Sequence, residues 1–292
     1  MKLVIFGGSG MVGSRFIELK KNTFELIAPD AKDVNILNKN QVLKFLEDNN
    51  GPVINLAAYT AVEEAEKQKD DKNGICYLVN AVGAKNVADA CKQLDKYLIH
   101  ISTEYVFDGT KMSSPYIEED KPNPINWYGA TKYFGEQFVL ESGVRLGLIR
   151  ISMPYSPFYE LKKDVVRFFL EMLKNKSSIK AIEDQRITPT LVDDIINALT
   201  VILGKKAEGT YHVSATDSVT PLELVETIAE TFKLDYSNIN VLKLEEYNKT
   251  KQAKLLKYSW LNPAKFEKEF GDGILHSIEE GLQLFKLKVK AD

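Results

Sequence analysis

The first residues of the chain constrain its fold more than any other segment. An apolar run of strand type, Lys2 to Phe6, leads directly into Gly7-Gly-Ser-Gly-Met-Val-Gly13 and then into a helical segment from about Met11 to Lys21. Gly7, Gly10 and Gly13 permit a tight turn, so that backbone N–H groups and the positive end of the helix dipole face an anion. An ordinary glycine turn is the alternative. The strand before it and the helix after it favour a dinucleotide-binding unit.

Strand-like and helix-like segments alternate through the first half of the chain. The further strand-like runs are Phe24 to Ala28, Pro52 to Leu56, Tyr97 to Ser102 and Val144 to Arg150. The helix-like stretches between them lie near Asn38 to Asp48, Leu78 to Asp95 and Asn126 to Glu141. This alternation predicts an α/β fold, a Rossmann-type doubly wound parallel sheet that binds ligands at the carboxyl ends of its strands.

The pattern loosens after Arg150. There the sequence predicts helices over Asp164 to Asn175, Thr190 to Leu203 and Thr220 to Phe232, and a strand over Thr210 to Val213. We therefore predict a Rossmann domain of residues 1–150, to which 186–213 returns, and a smaller substrate-binding region of 151–185 and 214–292.

Composition excludes several classes of protein. A chain of 292 residues with 44% hydrophobic and 27% charged residues is typical of a globular protein with its own core. The net charge of −3 argues against nucleic-acid binding, and the absence of a signal-peptide or membrane-span pattern predicts a cytoplasmic protein without a membrane partner. We expect buried Cys76 and Cys91, and scattered histidines that hold no catalytic metal.

Tyr128 and Lys132 form a Tyr-x-x-x-Lys pair within Asn-Trp-Tyr-Gly-Ala-Thr-Lys, and Thr103 follows the strand that ends at Ser102. Residues four apart share a helix face, so the Lys132 ammonium is expected to lower the pKa of the Tyr128 phenol. The phenol then becomes a proton shuttle, and the Thr103 hydroxyl holds a carbonyl oxygen against it. Such a pair on its own is commonly a solvated helix surface, but here it follows the glycine turn and the strand.

Asp30 bears on the choice of cofactor. It ends the second strand about 17 residues after Gly13, near the spacing of the acid that binds an adenosine ribose. A carboxylate there favours NADH by repelling a 2′-phosphate, whereas Lys32 offsets it. The sequence therefore predicts NADPH or NADH without choosing between them.

Taken together, these residues resemble the extended short-chain dehydrogenase/reductase family, and within it the dTDP-4-dehydrorhamnose reductase branch. The glycine turn and Tyr-x-x-x-Lys are typical of the whole family. The stretches similar to the branch are Val53-Ile-Asn-Leu-Ala-Ala-Tyr-Thr-Ala-Val62, Ile101-Ser-Thr-Glu-Tyr-Val-Phe-Asp-Gly109, Pro115-Tyr-Ile-Glu-Glu-Asp120 and Asp184-Gln185 with Pro189-Thr190. The resemblance covers nearly the whole chain and implies an NAD(P)H-dependent reductase of a 4-keto nucleotide sugar, of the dTDP-rhamnose biosynthesis type.

The resemblance also implies roles for individual residues. The catalytic set would be Thr103, Tyr128 and Lys132. The implied cofactor-binding residues are Gly7, Gly10, Met11, Val12, Asp30, Asp33, Val34, Leu56, Ala57, Ala58, Tyr59, Asn80, Tyr128 and Lys132. The implied substrate-binding residues are Thr60, Val62, Thr103, Glu104, Tyr105, Tyr128 and Met153.

Two departures from the branch keep other functions open. Met153 stands where the family has an aromatic residue, and Leu255-Leu256 replaces an Arg-Pro suited to phosphate recognition. One alternative is a nucleotide-sugar epimerase or dehydratase, although Thr103 is followed by one acid and not by the pair typical of dehydratases. Another is a non-catalytic, cofactor-binding regulatory subunit like the β subunit of methionine adenosyltransferase. A homodimer is also possible.

Overall fold

Ten strands form one large sheet and two small ones. In the computed structural model, which describes residues 1–289, they are β1 (Lys2–Phe6), β2 (Glu25–Ile27), β3 (Val53–Asn55), β4 (Leu98–Thr103), β5 (Leu146–Ile151), β6 (Pro154–Tyr155), β7 (Ile179–Ile182), β8 (Thr190–Leu191), β9 (Gly209–Val213) and β10 (Ile239–Leu242). The strands predicted from sequence correspond to β1 to β5 and β9, with ends that agree to within two residues.

Helices surround these strands. They are α1 (Met11–Lys20), α2 (Lys39–Asp48), α3 (Val62–Glu66), α4 (Ile75–Tyr77), α5 (Ala84–Gln93), α6 (Trp127–Glu141), α7 (Val165–Lys174), α8 (Val192–Lys205), α9 (Pro221–Phe232), α10 (Leu244–Lys249), α11 (Ala264–Phe270) and α12 (Ile278–Val289). A π-helical turn (Leu78–Gly83) precedes α5, and a 3₁₀ turn (Glu104–Val106) follows β4. The predicted helix from Thr190 instead begins with β8, and α8 starts at Val192.

The large sheet has the order β2-β1-β3-β4-β5-β9, and β1 pairs in parallel with both β2 and β3. The strand order therefore reverses between β1 and β3. In a doubly wound sheet, ligands bind outside the carboxyl ends of the strands at such a reversal. Gly7 follows β1 and Leu56 follows β3, so two predicted cofactor-binding segments lie at this point.

Both faces of the large sheet are buried. On one face, Val4, Val53 and Leu98 of the strands pack with Val87 of α5 and Val139 of α6 in one hydrophobic cluster. The residues that alternate with them, such as Leu3, Ile54 and Ile99, are also fully buried. Burial on both sides is typical of parallel sheets and explains why their strands are continuous apolar runs. The predicted fold class is confirmed.

The chain forms two structural units. The first comprises Met1–Asp108, Lys121–Arg150 and Ile196–Tyr211, and the second comprises Gly109–Asp120, Ile151–Ile195 and the chain from His212 onward. The division predicted from the sequence assigned residues 109–120 and 186–195 to the first domain. In the structure, both segments belong to the second unit. The predicted second region extended to 292, and its last three residues lie outside the described residues.

The second unit has a core of its own. Helices α7, α9 and α12 pack around Tyr155, Leu170, Leu224 and Phe285. Helix α9 begins at Pro221 with a capping box formed by Thr220 and Glu223, as the Thr-Pro signal predicts. Segment 109–120 joins this unit through backbone bonds of Tyr116 with Trp260 and Asn262.

Residues 1–289 contain neither a membrane-spanning helix nor a cluster of metal-binding side chains. No helix in this range is long and apolar enough to span a membrane. The same range contains no group of three or more His, Cys, Asp or Glu side chains suited to hold a metal ion. Cys76 and Cys91 are free and buried, as predicted.

Candidate active site

The glycine turn brings backbone segments closer together than a side chain would allow. Gly7 has a φ of +81°, and a Cβ built there would lie 2.6 Å from the Ala57 nitrogen. A Cβ on Gly13 would lie 2.3 Å from the Gly7 carbonyl oxygen. Gly10 precedes α1 without a side-chain cap, which is the arrangement in which a helix N-terminus binds phosphate. The turn is therefore a cradle that Cβ atoms would fill, and it fits the pyrophosphate of a dinucleotide.

Asp30 lies just beyond β2, in a turn that is closed by backbone hydrogen bonds. Its carbonyl oxygen accepts hydrogen bonds from the N–H groups of Asp33 and Val34, both at 3.0 Å. The exposed carboxylate of Asp30 lies 3.7 Å from the Lys32 ammonium. Val34 turns its side chain into the core, whereas Asp33 is exposed. The carboxylate and the ammonium that were predicted to oppose each other in cofactor choice thus form an ion pair.

Asn80 holds the segment that follows β3. Its Oδ1 accepts from the Tyr59 N–H at 2.8 Å, and its Nδ2 donates to the Tyr59 carbonyl at 3.1 Å. Nδ2 also donates to Thr131 Oγ1 at 3.0 Å, which links this segment to α6. The side-chain amide is thus bonded to protein groups, so Asn80 supports Tyr59. Its assignment as a cofactor-binding residue stays a prediction.

The predicted catalytic residues are buried near the end of β4. Thr103 ends the strand, and its hydroxyl donates to Glu104 Oε2 at 2.5 Å and accepts from the Tyr105 N–H at 3.3 Å. The Tyr105 ring meets the Tyr128 ring edge-on, with centroids 5.5 Å apart. Lys132 Nζ donates to the Ile101 carbonyl at 2.7 Å. The end of β4 and helix α6 therefore bring the Thr103 hydroxyl, the Tyr128 phenol and the Lys132 ammonium to one buried region.

Asn126, which precedes α6, and Gly129 in its first turn explain how this helix is positioned. Asn126 caps its first turn by accepting from the Gly129 N–H at 2.9 Å. A Cβ on Gly129 would lie 2.1 Å from the Tyr105 carbonyl oxygen. Glycine at this position thus allows the start of α6 to touch the 3₁₀ turn that carries Glu104 and Tyr105.

The electrostatics differ from the prediction made from spacing. Burial, followed by the charge of Glu104, raises the pKa of the Tyr128 phenol well above its usual value, while a hydrogen bond with Thr103 acts in the opposite direction. Burial lowers the pKa of Lys132 to about 8, and the charge of Glu136 opposes that change. The expectation that Lys132 lowers the phenol pKa is wrong for this arrangement. Spacing predicts which groups are neighbours, but it does not predict how deeply they are buried.

The predicted substrate residues divide between the two units. Tyr59, Val62 and Tyr105 pack against a buried cluster that includes Tyr128, and exposed Thr60 lies next to them in the chain. Met153 belongs to the second unit and has a φ of +38°, which is rare outside glycine. Strained backbone of this kind is common at functional sites.

Sequence reasoning missed Glu136 and Arg150. Arg150 donates to the two carboxylate oxygens of Glu136 at 3.0 and 2.8 Å, and both side chains are buried. The available signal was the spacing from Lys132 to Glu136, which is again four residues on the same helix.

Comparisons with known proteins identify the family to which the chain belongs. The chain matches the family model of the RmlD substrate binding domain over residues 1–287. A crystal structure of dTDP-4-dehydrorhamnose reductase from Bacillus anthracis, in complex with NADP, has a TM-score of 0.89 and 32% identity, and the match covers 99% of this chain and 100% of that one. The dTDP-4-dehydrorhamnose reductase of Burkholderia thailandensis is 33% identical over 228 residues, which is 74% of this chain and 73% of that protein.

A relative of another kind is similar to the chain as well. The methionine adenosyltransferase 2 subunit beta of Bos taurus is 29% identical over 253 residues, which is 82% of this chain and 74% of that protein. The resemblance stated from the sequence is confirmed by the family match. The chain belongs to the RmlD substrate-binding-domain family.

Proposed function

We propose that the chain is an NAD(P)H-dependent reductase that acts on a 4-keto nucleotide sugar of the dTDP-4-dehydrorhamnose type. The observation that carries the proposal is that Thr103, Tyr128 and Lys132 lie together in a buried region. This region lies at the sheet in which the glycine turn follows β1, at the point where the strand order reverses. The reductases from Bacillus anthracis and Burkholderia thailandensis support the same assignment.

The first unit supplies the groups that would hold the dinucleotide. Gly7, Gly10, Met11 and Val12 would receive the pyrophosphate in the turn and at the first turn of α1. Asp30 and Asp33 would face the adenosine, and residues 56–59 the middle of the cofactor. We propose that the second unit contributes the sugar-nucleotide region, including Met153.

The chain's residues would perform the acid chemistry of the reduction. When bound, the reduced nicotinamide supplies the hydride. Tyr128 keeps its proton because burial and Glu104 raise the pKa of the phenol, and it donates that proton to the oxygen of the new alcohol. The Lys132 ammonium then stabilises the tyrosinate, and Thr103 orients the carbonyl oxygen.

Purified protein should oxidise NADPH or NADH in the presence of one member of a panel of 4-keto sugar nucleotides. The measurement is the loss of nicotinamide absorbance, with matched 4-hydroxy sugar nucleotides as the control. Turnover on dTDP-4-dehydrorhamnose is the expected result. If the protein binds either nicotinamide but consumes it with no member of the panel, the proposal is wrong.

Cofactor preference should depend on the Asp30–Lys32 pair. Asp30→Ala removes a charge that repels a 2′-phosphate, so the ratio of kcat/KM for NADPH to that for NADH should rise, and Lys32→Ala should lower it. Because both groups are exposed, each change should be about two- to fivefold, equivalent to at most about 1 kcal/mol. Lys44→Ala, which breaks another exposed pair, is the control and should not alter the ratio. A ratio that stays the same in both test variants would contradict this role.

A regulatory subunit is the second candidate, and the similarity to the bovine β subunit favours it. In that case the chain would bind a methionine adenosyltransferase catalytic subunit and alter its kinetics without turnover on any hexulose. Titration of the chain into such an enzyme, with methionine and ATP, tests this directly. The absence of an effect, together with sugar-nucleotide turnover, would exclude it.

The cytoplasmic location and the homodimer are also proposals. Cell fractionation tests the location. Light scattering on the eluted protein tests the homodimer, which predicts twice the 33.0 kDa chain mass.

A further inference from the structure

A buried carboxylate lies one helical turn beyond Lys132. Glu136 follows Lys132 by four residues in α6, and the two residues are 1% and 3% exposed. Side chains four residues apart lie on the same helix face. A buried charge is unfavourable unless it is paired, so this placement requires an explanation.

Arg150 fixes the position of that carboxylate. Its Nε and Nη2 donate to the two oxygens of Glu136, and its guanidinium lies 5.1 Å from the centre of the Phe107 ring. A two-point contact of this kind restricts the carboxylate to one orientation. Buried pairs of this kind are often replaceable by apolar residues without loss of stability, so stability is a weak reason for its presence.

The groups around Lys132 differ in charge. The Ile101 carbonyl accepts its hydrogen bond, and Tyr128 lies one turn before it on α6. Burial raises the pKa of the Cys76 thiol, and burial together with Lys132 holds the pKa of His100 well below its usual value, so both are neutral near pH 7. In the part of the chain that the structure describes, the charge that most favours the Lys132 ammonium is that of the Glu136 carboxylate. The Arg150 guanidinium, which binds the same carboxylate, offsets part of its negative charge.

We propose that Glu136 is a positioning residue: held by Arg150, it places a fixed negative charge one helical turn behind Lys132 and maintains the charged lysine that Tyr128 requires. Burial alone shifts Lys132 towards the neutral amine, since desolvation disfavours the ammonium. Glu136 would thus set the upper end of the pH range in which Tyr128 and Lys132 act together. The kinetic part of this inference rests on the proposed function, whereas the titration of Lys132 does not.

The decisive test removes both charges of the pair. Glu136→Gln alone leaves the buried Arg150 guanidinium facing a neutral amide and is expected to destabilise the chain strongly. In the double variant Glu136→Gln/Arg150→Met, the Lys132 titration midpoint should fall by about one pH unit or more from its value near 8. The measurement is ¹³C NMR of labelled lysine side chains, with the Lys132 signal assigned from its loss in Lys132→Arg. An unchanged midpoint in the folded double variant would overturn the inference.

A matched control separates charge from stability. Asp164, which is buried, and Arg167, which is partly buried, form another ion pair in the second unit, with Nε to Oδ2 at 2.8 Å. Asp164→Asn/Arg167→Met should reduce thermal stability but leave the Lys132 midpoint where it is. If it moves the midpoint as far as the Glu136 variant does, a general loss of packing explains the result and the inference fails.

Kinetics provide a second readout with a defined sign. A lysine is charged below its pKa, so a lower midpoint moves the alkaline limb of the kcat profile to lower pH by the same amount. Glu136→Asp, which keeps the negative charge, should leave the Lys132 midpoint and the alkaline limb close to their wild-type positions. A displaced Lys132 midpoint in the folded double variant, together with no turnover of any sugar nucleotide by the wild-type protein, would end the proposed function while supporting this inference.

Discussion

Replacing Tyr128 with Phe is expected to lower kcat by roughly 10²- to 10⁴-fold, the range typical of a lost general acid. The phenol is buried, and it lies at the start of α6 beside Thr103 and Tyr105. Without it, no proton reaches the new alkoxide. Nicotinamide binding should remain within about twofold of wild type, because the cradle at Gly7 to Gly13 is untouched.

The control for this variant lies on the same helix. Tyr133→Phe removes a hydroxyl from a partly exposed tyrosine that has no assigned role, and kcat should not change. Stopped-flow absorbance measures the rate, and fluorescence of the reduced nicotinamide measures binding. Wild-type turnover by Tyr128→Phe would mean that another group is the acid.

Replacing Gly13 with Ala is expected to have the second large effect. The added Cβ would lie 2.3 Å from the Gly7 carbonyl oxygen and 2.8 Å from Gly8 Cα, and both of these are backbone atoms. The turn must move to accept it, which displaces the start of α1 from the pyrophosphate. Dinucleotide affinity should fall about tenfold to a hundredfold, or 1.4 to 2.7 kcal/mol, and unfolding free energy by about 1–3 kcal/mol.

Gly204→Ala is the matched control. A Cβ there meets no atom within 4 Å, and the residue lies exposed in α8. Because alanine is favoured over glycine inside a helix, stability should rise by up to about 1 kcal/mol without a change in binding. Calorimetric titration with NADPH and thermal unfolding make both measurements. Equal affinities of Gly13→Ala and wild type would show that the turn does not hold the phosphates.

Local patterns of sequence were enough to predict most of the first unit. The strands β1, β3, β4 and β5 are buried on both faces over most of their length, so each is a mostly apolar run that can be recognised in the sequence. Asn126 begins α6 because its side chain caps the first turn, a contact between residues three apart. The π-helical turn at Leu78–Gly83 left no such pattern. It is associated with long-range contacts, in which Asn80 bonds Tyr59 and Thr131 and Gly135 packs against the Asn80 carbonyl.

Tertiary structure alone decided how segment 109–120 is grouped and how the site is charged. That segment follows β4 in the chain, yet backbone bonds from Tyr116 to Trp260 and Asn262 place it in the second unit. Helical spacing likewise predicted that Lys132 and Tyr128 are neighbours, but burial raises the pKa of Tyr128, against the expected direction, and lowers the pKa of Lys132.

The sequence by itself determined the alternation of strands and helices, the glycine turn and the identity of the hydroxyl, phenol and ammonium, because these depend on residues close together in the chain. Burial, the Glu136–Arg150 pair and the membership of 109–120 depend on residues brought together by folding. Desolvation and long-range hydrogen bonds act through space, so only the folded chain reveals them.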